Sequence, residues 1–260
     1  MESLALMDDG WGKKIGVSVI MPTLNEAGNI ISLIQCTVDA LQKAGVNEIE
    51  IVVVDDDSPD RTWEIASQVV RPPARVEVIR RMENHGLTAS LSVGIEVARY
   101  DVIVWLDCDF SHPPERIPQM LFMLEQGFDV VFNSRYVMGG GEDRIGRGGT
   151  TQRFLSLSLN WLTRFFLDAS IADYTSGFVA VRKEVLQEIP LSGDYGEYFV
   201  DFIYRTVHKK YRVCELPYIA MPRRSGESKT GTNLFQYLRR GRKYVGTVAC
   251  LRLATLLGRL

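Results

Sequence analysis

Two carboxylates, Asp107 and Asp109, stand one residue apart at the end of the apolar run "DVIVWLDCD". Side chains on a strand alternate faces, so a strand continued to this point would put both carboxylates on one face. Like charges that close repel, and one of them would be driven towards protonation unless a cation sat between them. Hard oxygen ligands of this kind suit Mg²⁺ or Mn²⁺. An ordinary acidic turn after a buried strand has the same local sequence, so the rest of the chain must decide. In "VVVDDDSPDRT" three aspartates again close an apolar run. The period of two puts Asp55 and Asp57 on one face and Asp56 on the other, where a carboxylate suits ribose hydroxyls or a base N–H. In "PTLNE", residues 22–26, Glu26 could accept from a base or ribose, while Asn25 reads as a helix cap. Arg135 in "NSRY" and Arg153 in "TTQRF" flank a glycine-rich stretch, and Arg223, Arg224 and Lys229 lie in "RRSGESK". Separate arginines suit phosphate, so the parts fit phosphoryl or diphosphate chemistry. His85, His112 and His208 have no ligand spacing, and no Ser or Cys nucleophile motif, P-loop or G-x-G-x-x-G occurs. The pattern is that of a nucleotide–metal site without a covalent nucleophile.

The elements that must hold these residues alternate. "IGVSVIMP" reads as a first strand, and "NEAGNIISLIQCTVDALQKAG" as an amphipathic helix from near Asn25 to Gly45. "IEIVVVDDDSPD" is a buried strand ending in three aspartates, "RTWEIASQVV" a helix, "RVEVIRR" a strand, "GLTASLSVGIEVAR" a helix and "DVIVWLDCD" a fourth strand. Such alternation implies βαβ units and a mostly parallel sheet. Ligands of open sheets lie beyond the carboxyl ends of the strands, which brings the three acidic clusters to one rim. Further on, "DVVFNSRY" reads as a strand, "VMGGGEDRIGRGG" as a mobile loop, and "TTQRFLSLSLNWLTRFFLD" as a helix with a strongly apolar face. "SGFVAVRKEVLQEI" is a strand running into a helix, "YFVDFIYRTVHKKY" a helix, "RVCELPYIAMPRRSGESKTG" a strand and basic loop, and the remainder a basic amphipathic helix. The expected organisation is a flexible 1–14, one α/β domain over 15–229 and a C-terminal helix over 230–260.

With 260 residues, 46% hydrophobic and 24% charged, the chain can bury a large α/β core, and its net charge of −2 gives no reason to expect nucleic acid. The charge is uneven: from Arg223 onward nine Lys or Arg (223, 224, 229, 239, 240, 242, 243, 252, 259) face one acid, Glu227. That asymmetry points to an anionic partner at the C-terminal end. Four scattered cysteines fit neither a zinc site nor a disulfide framework, and a reducing setting is expected. The N-terminus lacks the apolar run of a signal peptide, and no stretch reaches the length of a membrane span.

"VSVIMPTLNEAGNI", "IVVVDDDSPDRT", "NHGLTASLSVGIEVA" and "VWLDCDFSHPPERIPQM", in this order, resemble the family 2 glycosyltransferases of GT-A fold. "SRY", "SGFVAVRKEVL", "CELP" and "RRSGESK" resemble, within that family, the polyprenyl-phosphate sugar transferases, and most of all those that charge dolichyl phosphate with mannose. The resemblance spans roughly 16–229 and implies a Rossmann-like, mixed and mostly parallel sheet flanked by helices. It implies a GDP-mannose nucleotide across Pro22, Leu24, Glu26, Asp55 and Asp57, with Lys229 as a further donor contact. It implies Mg²⁺ or Mn²⁺ on Asp107 and Asp109, with Ser111 as a weaker third ligand. Arg135, Arg153 and Arg223 match basic positions that hold the lipid and donor phosphates, and Asp109 joins them in the catalytic set. The chain departs from the family at Asp57, where many relatives have Gly, and "GFVAVRKEVL" is a loose match.

The expected reaction is inverting transfer to dolichyl or another polyprenyl phosphate, giving a β-linked product. A phosphate acceptor is already anionic near neutral pH, its second pKa being about 6, so no general base is required. UDP-glucose is the alternative donor, and a hydroxyl acceptor would need a base, for which Asp201 is the candidate. A phosphohydrolase and a non-catalytic nucleotide-binding module fit less well. The acceptor places the chain peripherally on the cytoplasmic face of a membrane, with the basic C-terminal helix as anchor, or with a membrane partner or a missing transmembrane segment.

Overall fold

In the computed structural model the described residues are 15–143, 149–226 and 234–260, with side chains described at 15–143, 156–226 and 241–260. The expectation of a flexible 1–14 therefore lies outside them. The chain opens with β1 (Val17–Thr23), α1 (Ile30–Lys43), β2 (Ile49–Asp55), α2 (Thr62–Ser67), β3 (Arg75–Arg80), α3 (Leu87–Val97) and β4 (Val102–Trp105). A 3₁₀ turn (Pro114–Arg116) leads into α4 (Ile117–Glu125), followed by β5 (Val130–Ser134), the two-residue β6 (Gly141–Glu142) and α5 (Gly149–Phe166). Then come β7 (Val179–Arg182), α6 (Lys183–Glu188), α7 (Glu197–His208), β8 (Val213–Pro217), the two-residue β9 (Ile219–Ala220) and α8 (Leu234–Leu256).

Seven strands form one sheet in the order β3-β2-β1-β4-β7-β5-β8. β2 pairs in parallel with β1 and β3, β4 pairs in parallel with β1, and β8 pairs in parallel with β5; only β7 runs antiparallel to its neighbours β4 and β5. Every residue of β2 and of β4 is buried, as a sheet covered on both faces requires. One core layer packs α1 and α4 against β1, β2 and β4 through Leu33, Ile34, Leu41, Met120 and Leu124. The other packs α3 and α7 over Ile20, Val54, Trp105 and Phe132 through Leu91, Phe199 and Phe202. α3 approaches β1 so closely that a Cβ on Gly94 would lie 2.5 Å from Ile20 Cγ2.

Two boundaries differ from the sequence reading. α1 begins at Ile30 rather than near Asn25, because Asn25 is left-handed (φ 54°) and belongs to a turn tied to the β2 loop. In that turn Asn25, Glu26 and Ala27 donate their N–H groups to Ser58, Thr62 and Asp60. β4 ends at Trp105, two residues before Asp107, so the period of a strand does not set the directions of Asp107 and Asp109.

Candidate active site

The β1 and β2 ends form one wall of the rim. Pro22 lies in β1 opposite Val54, and Leu24 stands just beyond the strand, 40% exposed. Asp55 is fully buried: its Oδ1 accepts from Ser58 N, and its Oδ2 from Thr23 Oγ1 (2.7 Å) and Ser58 Oγ (2.6 Å). That carboxylate fixes the loop and pins β1 to β2. Asp56, expected to face away, anchors a second network by accepting from Arg81, Ser90 and the Gly86 amide. Gly86 has φ 146°, a conformation that favours glycine, and its N–H reaches Asp56 at 2.7 Å. Asp57 is left-handed and half-exposed, and Arg80 holds its Oδ1 while stacking over Trp63 at 4.2 Å. Asp55 and Asp57 therefore do not act as a same-face pair, because the strand ends between them.

The acidic turn after β4 is held from two sides. Asp107 N donates to His112 Nδ1 (3.0 Å), so the neutral ring carries its proton on Nε2, the nitrogen 4.0 Å from the Asp107 carboxylate. His112 is buried, stacked on Phe178 and edge-on to Tyr218, which fixes the ring. Phe110 turns the chain through φ 65°, and Ser111 N donates to Asp109 Oδ1 (2.9 Å). The segment 221–224 lies along this turn: Met221 N donates to Ser111 O and Arg224 N to Asp109 O. Arg223 then bridges two carboxylates, 2.9 Å from Glu26 Oε1 and 2.9 Å from Asp109 Oδ2. Asn29 Nδ2 donates to the other Glu26 oxygen at 2.7 Å, so Glu26 is already engaged on both sides. These ties run between residues as far apart as Glu26 and Arg223, and they bring the "PTLNE" and "DCD" motifs and the segment 223–226 into one cluster.

Titration follows from that geometry. Although the Asp107 side chain is half-exposed, the protein around its carboxylate displaces water and pushes the carboxyl above its ordinary value, and repulsion from Asp109 and Glu26 adds to this against the pull of His112 and Arg223. Burial would raise Asp109 too, but hydrogen bonds from Ser111 and the charge of Arg223 outweigh it and hold Asp109 low. Two crowded carboxylates, one of them charged and the other driven towards protonation, fit a divalent cation with hard oxygen ligands. Among the described residues no group of three His, Cys, Asp or Glu could hold a metal, and Asp107 and Asp109 are the pair that this turn offers a cation. Ser111, expected as a third ligand, instead gives its amide and hydroxyl to Asp109.

Arg135 also departs from expectation. It is buried, with Nε and Nη2 on the Asp173 carboxylate (3.1 and 3.2 Å), Nη1 on Glu142 (2.9 Å) and Nη2 on Thr175. Burial would weaken its charge, but Asp173 overcomes this and raises the guanidinium pKa, and in return Asp173 is held low. Arg135 is thus a structural cation that ties β5 to the 173–175 turn, since its hydrogen bonds are spent inside the protein. Asp173, Thr175 and Glu215, which accepts from Ala172 N and Asp173 N, were not singled out as functional in the sequence. The motif "CELP" was the nearest signal. Asp201, the candidate base, accepts from Arg205 Nε with both oxygens on α7. Lys229 and the Arg153 side chain lie outside the described residues.

The sequence profile "Glycosyl transferase family 2" matches residues 18–190. The chain is 39% identical over 226 residues to a dolichol-phosphate mannosyltransferase of Pyrococcus furiosus, covering 86% of this chain and 62% of that protein's length. It is 34% identical to a polyprenol monophosphomannose synthase of Mycolicibacterium smegmatis, with 83% and 82% covered. It is 33% identical to an undecaprenyl-phosphate mannosyltransferase of Micrococcus luteus, with 82% and 86% covered. In three dimensions it resembles glucosyl-3-phosphoglycerate synthase of Mycobacterium tuberculosis, solved with Mn²⁺, UDP and phosphoglyceric acid. The TM-score is 0.68 at 19% identity, over 92% of this chain and 79% of that one, which is a likeness of fold.

Proposed function

Since the chain belongs to the family 2 glycosyltransferases, with a mostly parallel GT-A sheet, we propose that it transfers mannose from GDP-mannose to a polyprenyl phosphate with inversion. The observation that carries this reading is the apposition of the acidic turn 107–109 and the basic segment 223–224 at one rim. The names of the relatives support the sugar and the lipid acceptor. Glu26 and Asp57 stand at the nucleotide end. Asp107 and Asp109 would hold Mg²⁺ or Mn²⁺, which offsets the charge that builds on a departing diphosphate. His112 orients the turn through the Asp107 amide. Arg223 neutralises Asp109 and Glu26 and would serve an incoming phosphate as a charge partner. The acceptor phosphate attacks the anomeric carbon from the face opposite the leaving GDP and needs no base, which agrees with the engagement of Asp201 by Arg205.

The test is transfer of radiolabelled mannose from GDP-mannose into chloroform-soluble lipid by the purified chain, with Mn²⁺ and dolichyl or undecaprenyl phosphate. Label in lipid with the wild type and none with Asp109→Ala is expected. Label only from UDP-glucose overturns the donor, and no lipid product from either donor overturns the acceptor.

A further inference from the structure

The loop after β2 places an aspartate where the backbone favours glycine. Asp57 has φ 53°, a left-handed conformation that a residue with a Cβ adopts only at a cost in energy. Its side chain is clamped. Arg80, the last residue of β3 and paired in the sheet with Asp55, places Nε 2.6 Å and Nη2 2.5 Å from one oxygen, Oδ1. The Arg80 guanidinium lies in turn over the Trp63 ring, 4.2 Å from its centroid, which fixes the plane of the clamp. Among the described residues Oδ2 of Asp57 takes no hydrogen bond, and the side chain is 31% exposed. The two acids before it are already engaged. Asp55 is fully buried with both oxygens bonded, and Asp56 is held by Arg81, Ser90 and the Gly86 amide. Asn25 N donates to Ser58 Oγ at 2.9 Å, so the β1 turn that carries Leu24 and Glu26 runs beside the residue that follows Asp57.

From this arrangement we infer that Asp57, clamped by Arg80 on the face of Trp63, reads the base of the donor nucleotide and selects guanine over uracil. The inference rests on the nucleotide-sugar transferase reading given above. A guanine edge presents two donors side by side, N1–H and the 2-amino group, and a carboxylate meets both with its two oxygens. Each carboxylate oxygen has two lone pairs, so Oδ1 keeps Arg80 while it accepts from the base. Uracil presents one donor, N3–H, between two carbonyl oxygens. A carboxylate facing it gains one bond and sets its second oxygen against a carbonyl. Because Arg80 and Trp63 hold the carboxylate in place beforehand, little side-chain freedom is lost when a base arrives. Non-glycine residues in the left-handed region gather at ligand-binding positions, and the conformation of Asp57 agrees with that role.

The experiment is calorimetric titration of the purified chain with GDP, UDP and xanthosine diphosphate in the presence of Mn²⁺ and without acceptor lipid. The wild type is expected to bind GDP roughly tenfold or more tightly than UDP, the scale of one further hydrogen bond to a charged group. Asp57→Gly suits φ 53° and should keep its melting temperature, while its affinity for GDP falls to within about threefold of that for UDP. Xanthine carries a carbonyl in place of the 2-amino group. Asp57→Asn, whose amide donates to that carbonyl, should therefore bind xanthosine diphosphate more tightly than the wild type does. A wild type with no preference for GDP, or a preference that survives in Asp57→Gly, overturns the inference. So does Asp57→Asn without a gain for xanthosine diphosphate, or equal weakening of GDP and UDP in Asp57→Gly, the signature of a clamp that only ties β2 to β3. Mannosyl-lipid made by a chain whose GDP preference survives Asp57→Gly strikes the base readout alone. A preference lost in Asp57→Gly, with no transfer to lipid by the wild type, strikes the acceptor alone.

Discussion

The Arg135–Asp173 pair separates a structural cation from a phosphate ligand. Asp173 is fully buried and Arg135 nearly so, and their two nitrogen–oxygen contacts are joined by Glu142 and Thr175. Removing one partner of such a pair leaves a buried charge and costs about 3–5 kcal/mol. Asp173→Ala should therefore lose a large share of a total stability that for a domain is roughly 5–15 kcal/mol. At about 2–4 °C per kcal/mol for a chain of this size, the melting temperature should fall by roughly 6–20 °C. Asp173→Leu combined with Arg135→Met should recover part of the loss, since neither charge is then stranded. The pH dependence has a definite sign. Burial would raise the Asp173 carboxyl, but Arg135 outweighs it and holds the folded pKa below the unfolded one. The contribution is then complete above the unfolded value near pH 4 and is lost as pH falls through the folded value. Urea unfolding of wild type and Asp173→Asn from pH 7 downward should show their difference shrinking in acid. A loss under about 1 kcal/mol in Asp173→Ala would refute the structural role. So would Arg135→Met that keeps its stability while the KM for donor or acceptor rises.

Chelation should abolish transfer, Mn²⁺ should restore it to the wild type, and Asp107→Ala should stay inactive at every Mn²⁺ concentration; activity in excess chelator would remove the metal from the reading. Arg223→Gln loses a charged partner of the buried Asp109 and Glu26, and kcat/KM should fall roughly 10²–10³-fold in protein that circular dichroism shows to be folded. Asp201→Asn should retain most of its transfer to polyprenyl phosphate; a loss of roughly 10²–10⁴-fold in folded protein is the size of a general-base contribution and would favour a hydroxyl acceptor. Because the Asp107 carboxyl is raised by its crowded, partly desolvated setting beside Asp109, Mn²⁺ affinity measured by calorimetry should start to fall at a higher pH than an ordinary aspartate gives. An onset only below about pH 4 would contradict the raised carboxyl.

The first half of the fold was legible because each βαβ unit writes its own period: β1, β2 and β4 read as apolar runs closed by acids, and α1 and α3 as helices between them. The antiparallel direction of β7 was not, since it depends on pairing with strands far away in sequence. The same limit governs the site. Which residue types gather at the rim was visible from strand ends, but Arg135 meets Asp173 across 38 residues and Arg223 meets Glu26 across 197. A local pattern carries no information on such pairings. An arginine expected to grip phosphate was therefore found satisfied inside the protein, while another sits on the acids. Reasoning from strand period failed at Asp107 and Asp109 because β4 stops at Trp105, and a turn held by His112 and Ser111 takes over.

α5 shows why periodicity alone is silent about direction. "SLSLNWLTRFF" has a clear apolar face, and an apolar stripe on a helix of a globular protein ordinarily turns inward. The face that turns inward here is the one with partners, because Asn160 finds a donor and an acceptor in the 172–174 turn and Thr163 bonds to Leu159 O. Satisfying the buried backbone of that turn fixes the rotation of the helix, and the aromatic face is left outward as a consequence. Replacing Asn160 with Leu would remove both bonds from Ala172 O and Tyr174 N, while Glu215 still holds the Ala172 and Asp173 amides. The outward aromatic stripe and the structural cation thus rest on one side chain. Asn160→Leu is accordingly expected to lower the melting temperature followed by circular dichroism, whereas Trp161→Ser, at an exposed position, should leave it nearly unchanged.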